Sequence, residues 1–395
     1  MPRIHWTEAG ERRSARWLST TRPTPRRVVV ADDRMRADTA HRLARSGTAL
    51  LWRGDFHGAR QLLRALARRC DRAPAARGGG PAADPAADPA AAFHRHRRDR
   101  ARRARILGML LVELDAGYAL ALRRAPDTGP ACALAFGPPG GGPNMIALKD
   151  LLGAVGAAEW RRKGVAIPAL GGDPIHPHYG VFSPVRGEYV DLVADAPLPV
   201  PSGGAAPGTS GASAPLTVFD IGTGTGVLAA VLARRGAGRV VATDISPRAR
   251  ECARENLDRL GLGGRAEVVA ADLFPEGRAG LVVCNPPWVP AEPTSTLEQG
   301  VYDPDGRMLR GFLGGLAGHL EPGGEGWLIL SDLAEHLGLR TRAGLLAEIE
   351  AAGLRVAGRT DTRPRHRRAA DPADPLHRAR AAETTSLWRL RVGSA

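Results

Sequence analysis

The chain has 395 residues, enough for two domains, and its 43% hydrophobic and 24% charged residues are typical of a globular protein. No apolar run approaches the ~18 residues of a membrane span, and the N-terminus lacks the apolar core of a secretory signal. We therefore expect a cytoplasmic protein without membrane contact. The four cysteines are widely scattered and form no C-x-x-C pair, which argues against a disulfide framework and a zinc site.

The net charge of +14 is distributed unevenly along the chain. Residues 1–125 contain 27 arginines and 12 acidic residues, an excess of +15, whereas the remainder is close to neutral. Such asymmetry suggests a polyanionic partner, with RNA or ribosomes as the first candidates. A solvated, Arg-rich extension explains the charge equally well, so both interpretations stay open.

Helical periodicity dominates the first part of the chain. Apolar residues recur at helical spacing over 39–69, around a turn near Gly54, and the segment 144–160 is again helical in pattern. Residues 104–125 predict two short strands joined at 115–117, as in a β-hairpin. The sequence therefore predicts a mainly helical accessory region that contains one hairpin.

Two low-complexity stretches interrupt the chain. The first, at about 73–92, is rich in Gly, Ala, Pro and Asp, and the second runs from 201 to 215; both are typical of flexible segments. We therefore predict an Arg-rich accessory or substrate-recognition region over 1–190, a flexible linker over 191–215 and a catalytic domain over 216–395.

From residue 216 onward, strands alternate regularly with helices. The first strands are continuous apolar runs, as expected for parallel strands that are buried on both faces. Five β–α units closed by two late strands predict an α/β fold with a seven-stranded, Rossmann-like, doubly wound sheet. The predicted strands are 217–221, 239–244, 266–272, 280–285, 325–331, 354–360 and 385–392.

A glycine-rich turn follows the first of these strands. The strand contains Asp220 near its end, and the turn then reads Gly222-Thr223-Gly224, a threonine and Gly226 before a helix begins. Glycines let the backbone turn sharply and let a cofactor approach without meeting a Cβ. The G-x-G-x-G spacing differs from the dinucleotide fingerprint and lacks the Lys-Ser/Thr ending of a P-loop. We expect these five residues to form part of a cofactor site.

Two further acids end the next strands. Asp244 can accept hydrogen bonds from both hydroxyls of a ribose that lies across the strand ends. The alternative role of a helix N-cap is already offered by Ser246. Asp272 could accept from an adenine amine, although an N-cap or turn role is open there. Ile245 and Leu273, which follow the two acids, are predicted cofactor contacts as well, and Asn285, after the fourth strand, completes the set.

Asn285-Pro286-Pro287-Trp288 directly follows the fourth strand. Two prolines fix the backbone, so the Asn285 side chain and the Pro286 carbonyl can accept both hydrogens of one amine. That arrangement would direct the nitrogen lone pair toward an electrophilic methyl group. Trp288 offers a flat face for a planar amide or base. We predict that these four residues are catalytic; a rigid turn is the alternative.

Together these motifs resemble class I methyltransferases that act on a planar nitrogen, and within them the HemK/PrmC branch, whose members methylate the glutamine amide of peptide release factors. The resemblance covers about residues 180–392 and implies S-adenosylmethionine as cofactor. It implies that the three glycines contact the methionine part of the cofactor, Asp244 the ribose and Asp272 the adenine. It also implies that Asn285 and Pro286 hold the substrate amine.

Two positions depart from that branch. Trp288 replaces the usual tyrosine of the N-P-P-Y motif, which preserves a flat face. The P-R-P-E-T-E-like segment of the branch is matched approximately by FSPVRGEY at 182–189, through Pro184, Arg186 and Glu188.

The sequence thus predicts methyl transfer to a planar amide or amine nitrogen, with a protein glutamine of the translation machinery as the first target. An exocyclic amine of adenine or guanine in ribosomal or transfer RNA is the alternative, which the Arg-rich N-terminal part favours. A third alternative is a non-enzymatic RNA-binding protein with a vestigial methyltransferase fold. The sequence does not determine the oligomeric state.

Overall fold

A computed structural model describes residues 2–19, 23–72, 88–200, 215–293, 296–365 and 371–393. Most of both low-complexity stretches lies outside these residues. The chain divides into two compact units, the first comprising 1–87 with 91–159 and the second 88–90 with 160–395. The division of roles at 190 and 215 stays a prediction, but residues 160–195 pack within the second unit. Among the described residues, no helix is long and apolar enough to cross a membrane.

A six-stranded mixed sheet forms the centre of the first unit, with strand order β1-β2-β6-β5-β4-β3. The β1–β2 and β5–β6 pairs are antiparallel, and the other neighbours are parallel. The strands are β1 (Arg3–Glu8), β2 (Glu11–Trp17), β3 (Arg27–Ala31), β4 (Thr48–Trp52), β5 (Leu110–Leu114) and β6 (Asn144–Ala147).

Five helices accompany this sheet. They are α1 (Ala37–Arg45), α2 (Phe56–Arg72), α3 (Pro89–Leu107), α4 (Gly129–Phe136) and α5 (Leu148–Lys163). The amphipathic ones bury one face; α2, for example, buries Phe56, Ala59, Leu62 and Leu66 in a core shared with β4 and β5.

The sheet corrects the sequence analysis of the first unit. The helices predicted in 39–69 are present, but β4 lies between them with all five residues buried. The segment 144–160 begins with β6 before it becomes helical, and the predicted hairpin is reduced to β5 and a single bridge from Leu114 to Leu120. Short apolar runs that are buried on both faces have no alternation, so periodicity does not separate them from helix.

The second unit contains the predicted seven-stranded sheet, in the order β11-β10-β9-β12-β13-β15-β14. All seven predicted strands are present. They are β9 (Thr217–Ile221), β10 (Arg239–Thr243), β11 (Ala266–Val269), β12 (Ala279–Cys284), β13 (Leu320–Ser331), β14 (Leu354–Thr362) and β15 (Thr385–Val392). The first five run parallel to one another, and β15 is antiparallel to both β13 and β14.

Helices cover both faces of this sheet, because alternate strand residues enter opposite cores. Val218 packs in a core with α7, whereas Phe219 packs in a second core with α9. The helices are α6 (Glu188–Asp195), α7 (Val227–Arg234), α8 (Pro247–Arg259), α9 (Arg307–His319), α10 (Leu333–His336), α11 (Arg342–Ala351) and α12 (His377–Ala382). A two-stranded ribbon, β7 (Val165–Ala166) with β8 (Pro174–Ile175), precedes α6.

Candidate active site

The three predicted site segments meet where the strand order reverses, beside β9. Ile221 of β9 lies in register with Thr243 of β10 and with Cys284 of β12. The glycine turn, Asp244 and the Asn-Pro-Pro-Trp segment each begin one residue later. They therefore share one edge of the sheet, the carboxyl edge at a topological switch point, where ligands of doubly wound sheets bind.

The glycine turn needs glycine at each of its three positions. Gly222, Gly224 and Gly226 all have positive φ, at 69°, 57° and 80°. A Cβ at Gly222 would collide with the Met308 side chain, and one at Gly226 would lie 3.2 Å from the Ala253 Cα. A Cβ at Gly224 would instead meet nothing within 4 Å. The middle of the turn therefore presents bare backbone to open space, where a cofactor can approach.

Asp220 lies beneath the turn and is 1% exposed. Its Oδ2 accepts a hydrogen bond from the Thr223 hydroxyl at 2.6 Å and another from the Ala229 backbone N–H, inside α7, at 3.0 Å. Burial raises the pKa of Asp220 to about 6, although both hydrogen bonds favour the charged form. Asp220 thus fastens the turn to the helix that follows it; direct contact with a cofactor stays a prediction.

Asp244 connects the turn to the end of β10. Its Oδ2 accepts from the Gly224 N–H at 3.1 Å, and its Oδ1 accepts from the Ser246 N–H at 2.8 Å. Burial raises its pKa. A carboxylate offers about four acceptor sites, so two remain for ligand hydroxyls. Ser246 caps α8 through Ala249, as the sequence indicated.

Asp272 and Leu273 lie past the end of β11. The carboxylate of Asp272 is exposed and forms an ion pair with Arg307 at 2.9 Å. Leu273 has a φ of 79°, uncommon for a residue with a Cβ, and its carbonyl accepts from the Thr243 hydroxyl at 2.6 Å. Asp272 is therefore available for a hydrogen bond through its remaining acceptor sites, and Leu273 is held in place by the neighbouring strand.

The Asn-Pro-Pro-Trp segment makes a contact that the sequence did not indicate. The Trp288 indole N–H donates to the Asn285 amide oxygen at 2.9 Å. On one side of the indole ring the Arg186 guanidinium carbon lies 5.7 Å from the ring centroid, a cation–π distance. Trp288 thus does more than offer a flat face: it orients the side chain that is predicted to hold the substrate. A phenylalanine at this position would have no side-chain donor for this hydrogen bond.

Sequence reasoning missed two supporting groups. Asp303 is 6% exposed and accepts from the backbone N–H groups of Met308 and Leu309, at the start of α9. Its own N–H donates to the Val289 carbonyl at 2.9 Å, directly after the Asn-Pro-Pro-Trp segment. The signal in the sequence was Asp-Pro-Asp-Gly ahead of a helix, typical of an N-terminal cap. Met308 was missed because only the fold places it against Gly222.

The residues present fit S-adenosylmethionine. Bare backbone at Gly224 faces open space, and Asp244 retains acceptor sites suited to ribose hydroxyls. The Ile245 side chain, 66% exposed, offers an apolar surface beside that carboxylate for the face of a base. These residues would hold the adenosine part of the cofactor, with the glycine turn along its methionine part.

Parts of the chain are similar to known proteins. Residues 212–335 match the family model of the methyltransferase small domain. The chain is 41% identical to a ribosomal protein L11 methyltransferase of Pelotomaculum thermopropionicum, over 37% of this chain and 40% of that protein. It is 39% identical to a release factor glutamine methyltransferase of Cereibacter sphaeroides, over 35% of this chain and 52% of that protein. The chain thus spans about half the length of these relatives, or less.

Among solved structures, a ribosomal protein L11 methylase from Lactobacillus delbrueckii subsp. bulgaricus is similar over 46% of this chain and 71% of that one, at 20% identity and a TM-score of 0.30. The family match covers the glycine turn, the acids after β10 and β11, and the Asn-Pro-Pro-Trp segment. Residues 212–335 are therefore similar to the methyltransferase small domain, and the chain is similar over part of its length to methyltransferases of a ribosomal protein and of a release factor.

Proposed function

We propose that the protein transfers a methyl group from S-adenosylmethionine to a planar amide nitrogen, the side-chain amide of a glutamine in a protein of the translation machinery. One observation carries the proposal: the amide oxygen of Asn285, oriented by Trp288, lies at the carboxyl edge of the sheet beside the glycine turn. The names of the two relatives support the substrate class, since one acts on a release factor glutamine and the other on a ribosomal protein.

The chemistry requires orientation rather than a strong base. S-adenosylmethionine, when bound, supplies an electrophilic methyl group on a positively charged sulfur. Asn285 Oδ1 and the Pro286 carbonyl would accept the two hydrogens of the substrate amide, so that its nitrogen lone pair points at the methyl carbon. A nitrogen–carbon bond forms as the carbon–sulfur bond breaks, its electron pair stays on sulfur, and one amide proton is released to solvent. The products are S-adenosylhomocysteine and the N-methyl amide.

Asn285 and Pro286 would also stabilise the positive charge that develops on the substrate nitrogen during the reaction. Two carbonyl oxygens in a half-buried pocket interact more strongly with an amide that gains positive charge than with a neutral one. Pro286 is buried and Asn285 half-buried, so this oxygen pair is partly shielded from water. The flat ring of Trp288 would favour a substrate whose methyl-accepting group is planar.

The second candidate is methylation of an exocyclic base amine in RNA. The observation that favours it is the excess of arginine in residues 1–125. An exocyclic amine presents the same planar N–H₂ group to Asn285, so the pocket chemistry alone does not separate the two substrates.

Labelling of a cell extract separates them. The protein is incubated with extract and methyl-labelled S-adenosylmethionine, and portions are treated with protease or with nuclease before separation. Label that protease removes and nuclease leaves, recovered as N-methylglutamine after complete enzymatic digestion, supports the protein substrate. Label that only nuclease removes contradicts it and supports RNA. We place the reaction in the cytoplasm as part of the same proposal; it is consistent with four cysteines that are all free thiols.

A further inference from the structure

The outward face of α2, in the first unit, carries a row of arginines. Arg60, Arg64, Arg68 and Arg72 recur at every fourth position and are all exposed. We refer to these four residues as the arginine stripe. With a rise of 1.5 Å per residue, the stripe is about 18 Å long, and its members drift by only about 40° per step around the helix. It is thus a continuous cationic band on one side of the helix.

The core holds the stripe in place. Ala59, Leu62 and Leu66 are buried in the core of the first unit, on the side of α2 roughly opposite the stripe. A rotation that hid the arginines would expose these apolar residues to water, at a cost of about 1.5–3 kcal/mol for each leucine. The fold therefore commits this face of α2 to solvent or to a partner.

Two carboxylates on α1 and α2 form ion pairs with arginines outside the stripe. The single acid of α2, Asp71, accepts from Arg103 at 2.9 Å, and Asp38 of α1 accepts from Arg69, outside the stripe, at 2.8 Å. Among the residues that the structure describes, none forms an ion pair or hydrogen bond with the side chains of Arg64, Arg68 or Arg72. The neighbouring Arg69 and Arg103 are thus paired with these two acids, whereas Arg64, Arg68 and Arg72 keep their donors available.

A cavity of about 400 Å³ adjoins the first residue of the stripe. Its lining includes His57, Arg60 and Arg124, together with the apolar Phe56 and Pro126. Arg124 is held with a φ of 60° and donates to the buried Asp55 at 2.8 Å. The stripe therefore continues into a concave site whose lining includes the exposed side chains of Arg60 and Arg124, groups that suit phosphate oxygens.

We propose that the arginine stripe and this cavity dock the phosphate backbone of a structured RNA. Guanidinium groups bind phosphate oxygens in a bidentate manner, and four of them along a band of about 18 Å can contact successive phosphates of one strand. The choice of RNA over DNA rests on the proposed function in translation. Docking is distinct from the methyl-acceptor site, because none of these residues belongs to the second unit.

Two other polyanions fit the surface less well. A helix that lies on an anionic membrane needs an exposed apolar face, whereas the apolar face of α2 is buried in the core. An acidic protein would need a row of carboxylates that matches the spacing of the stripe. The experiment must therefore compare binding to RNA with binding to anionic vesicles and to an acidic polymer.

The test compares two triple variants of the full chain that lose the same charge. Arg64→Gln, Arg68→Gln and Arg72→Gln alter the stripe; Arg259→Gln, Arg265→Gln and Arg355→Gln alter exposed arginines of the second unit. Binding to a labelled RNA hairpin with a 20-base-pair stem is measured between 50 and 200 mM salt. Each phosphate contact contributes about 0.9 to the steepness of log K against log salt. The stripe variant lacks three arginines, so its slope should be shallower than that of wild type by about 2–3. Its affinity should fall at least about tenfold, while the control stays close to wild type.

Three results would overturn the proposal: unchanged affinity and slope in the stripe variant, an equal loss in the control variant, or equally strong stripe-dependent binding to poly-glutamate or phosphatidylserine vesicles. Affinity for S-adenosylhomocysteine is measured on the same samples and should stay unchanged in both variants. Loss of RNA binding with intact cofactor binding therefore reports on the stripe alone, and failure of the methylation proposal would show separately in the extract labelling.

Discussion

Asn285→Ala separates a catalytic Asn-Pro-Pro-Trp segment from a merely structural one. The substitution removes an amide oxygen that is half-buried and accepts one hydrogen bond, from Trp288 at 2.9 Å. A hydrogen bond of this kind contributes about 0.5–1.5 kcal/mol to stability. At roughly 2–4 °C per kcal/mol for a domain of this size, melting should fall by only a few degrees. Methyl transfer should fall far more, by about 10²–10³, the usual effect of deleting one oriented polar group at a reacting centre.

Trp288→Phe is the matched control for orientation. Phenylalanine keeps a flat ring for Arg186 but has no N–H for Asn285, so the acceptor stays present and loses its positioning contact. We expect a loss in turnover of about tenfold, which corresponds to one hydrogen bond of about 1.4 kcal/mol. Trp288→Ala removes the ring as well and should be more severe. The order of turnover should therefore be wild type, Trp288→Phe, Asn285→Ala.

The assay measures three quantities on each purified variant: melting temperature, affinity for S-adenosylhomocysteine by calorimetry, and turnover per folded molecule on the labelled substrate fraction. Catalytic roles predict nearly unchanged melting and cofactor affinity with reduced turnover. A rigid turn that only closes β12 predicts the reverse, with lower melting temperatures and unchanged turnover. Full activity in Asn285→Ala would refute the mechanism.

Two further predictions concern the acids of the cofactor site. Asp244→Ala should weaken S-adenosylhomocysteine binding by about 1.5–3 kcal/mol, since it removes a charged acceptor, and calorimetry that gives equal affinities would exclude Asp244 from the site. Asp220→Asn should abolish a pH dependence of the unfolding free energy. Because burial raises the pKa of Asp220 to about 6, the contribution of its protonated form to stability is present below pH 4 and is lost as the pH rises through 6. Relative to the asparagine variant, wild type should lose roughly 2–3 kcal/mol of unfolding free energy between pH 4 and 7. Urea unfolding that shows the same change in unfolding free energy with pH for wild type and variant would contradict this.

Local pattern was sufficient for the second unit. Parallel strands buried on both faces appear as continuous apolar runs between amphipathic helices, so all seven strands could be predicted from residues 216–392, most within a few residues of their ends. The glycine turn could be predicted as well, because glycine adopts a positive φ without a steric penalty and all three positions, Gly222, Gly224 and Gly226, have one. In the first unit the same reasoning failed at β4, since a five-residue buried strand and one turn of buried helix share the same apolar pattern.

In the second unit, the amino-acid sequence by itself determined which segments are strands, where the glycine turn lies and which residues follow each strand. Only the tertiary structure decided that β10, β9 and β12 are neighbours in register, which brings Asp244 and Asn285 to one edge although 41 positions separate them in the chain. It also decided that Asp220 faces α7 and that the Trp288 N–H is directed at Asn285. These contacts depend on strand order and on side-chain direction across packed elements, and neither is encoded in the spacing of residues along a single segment.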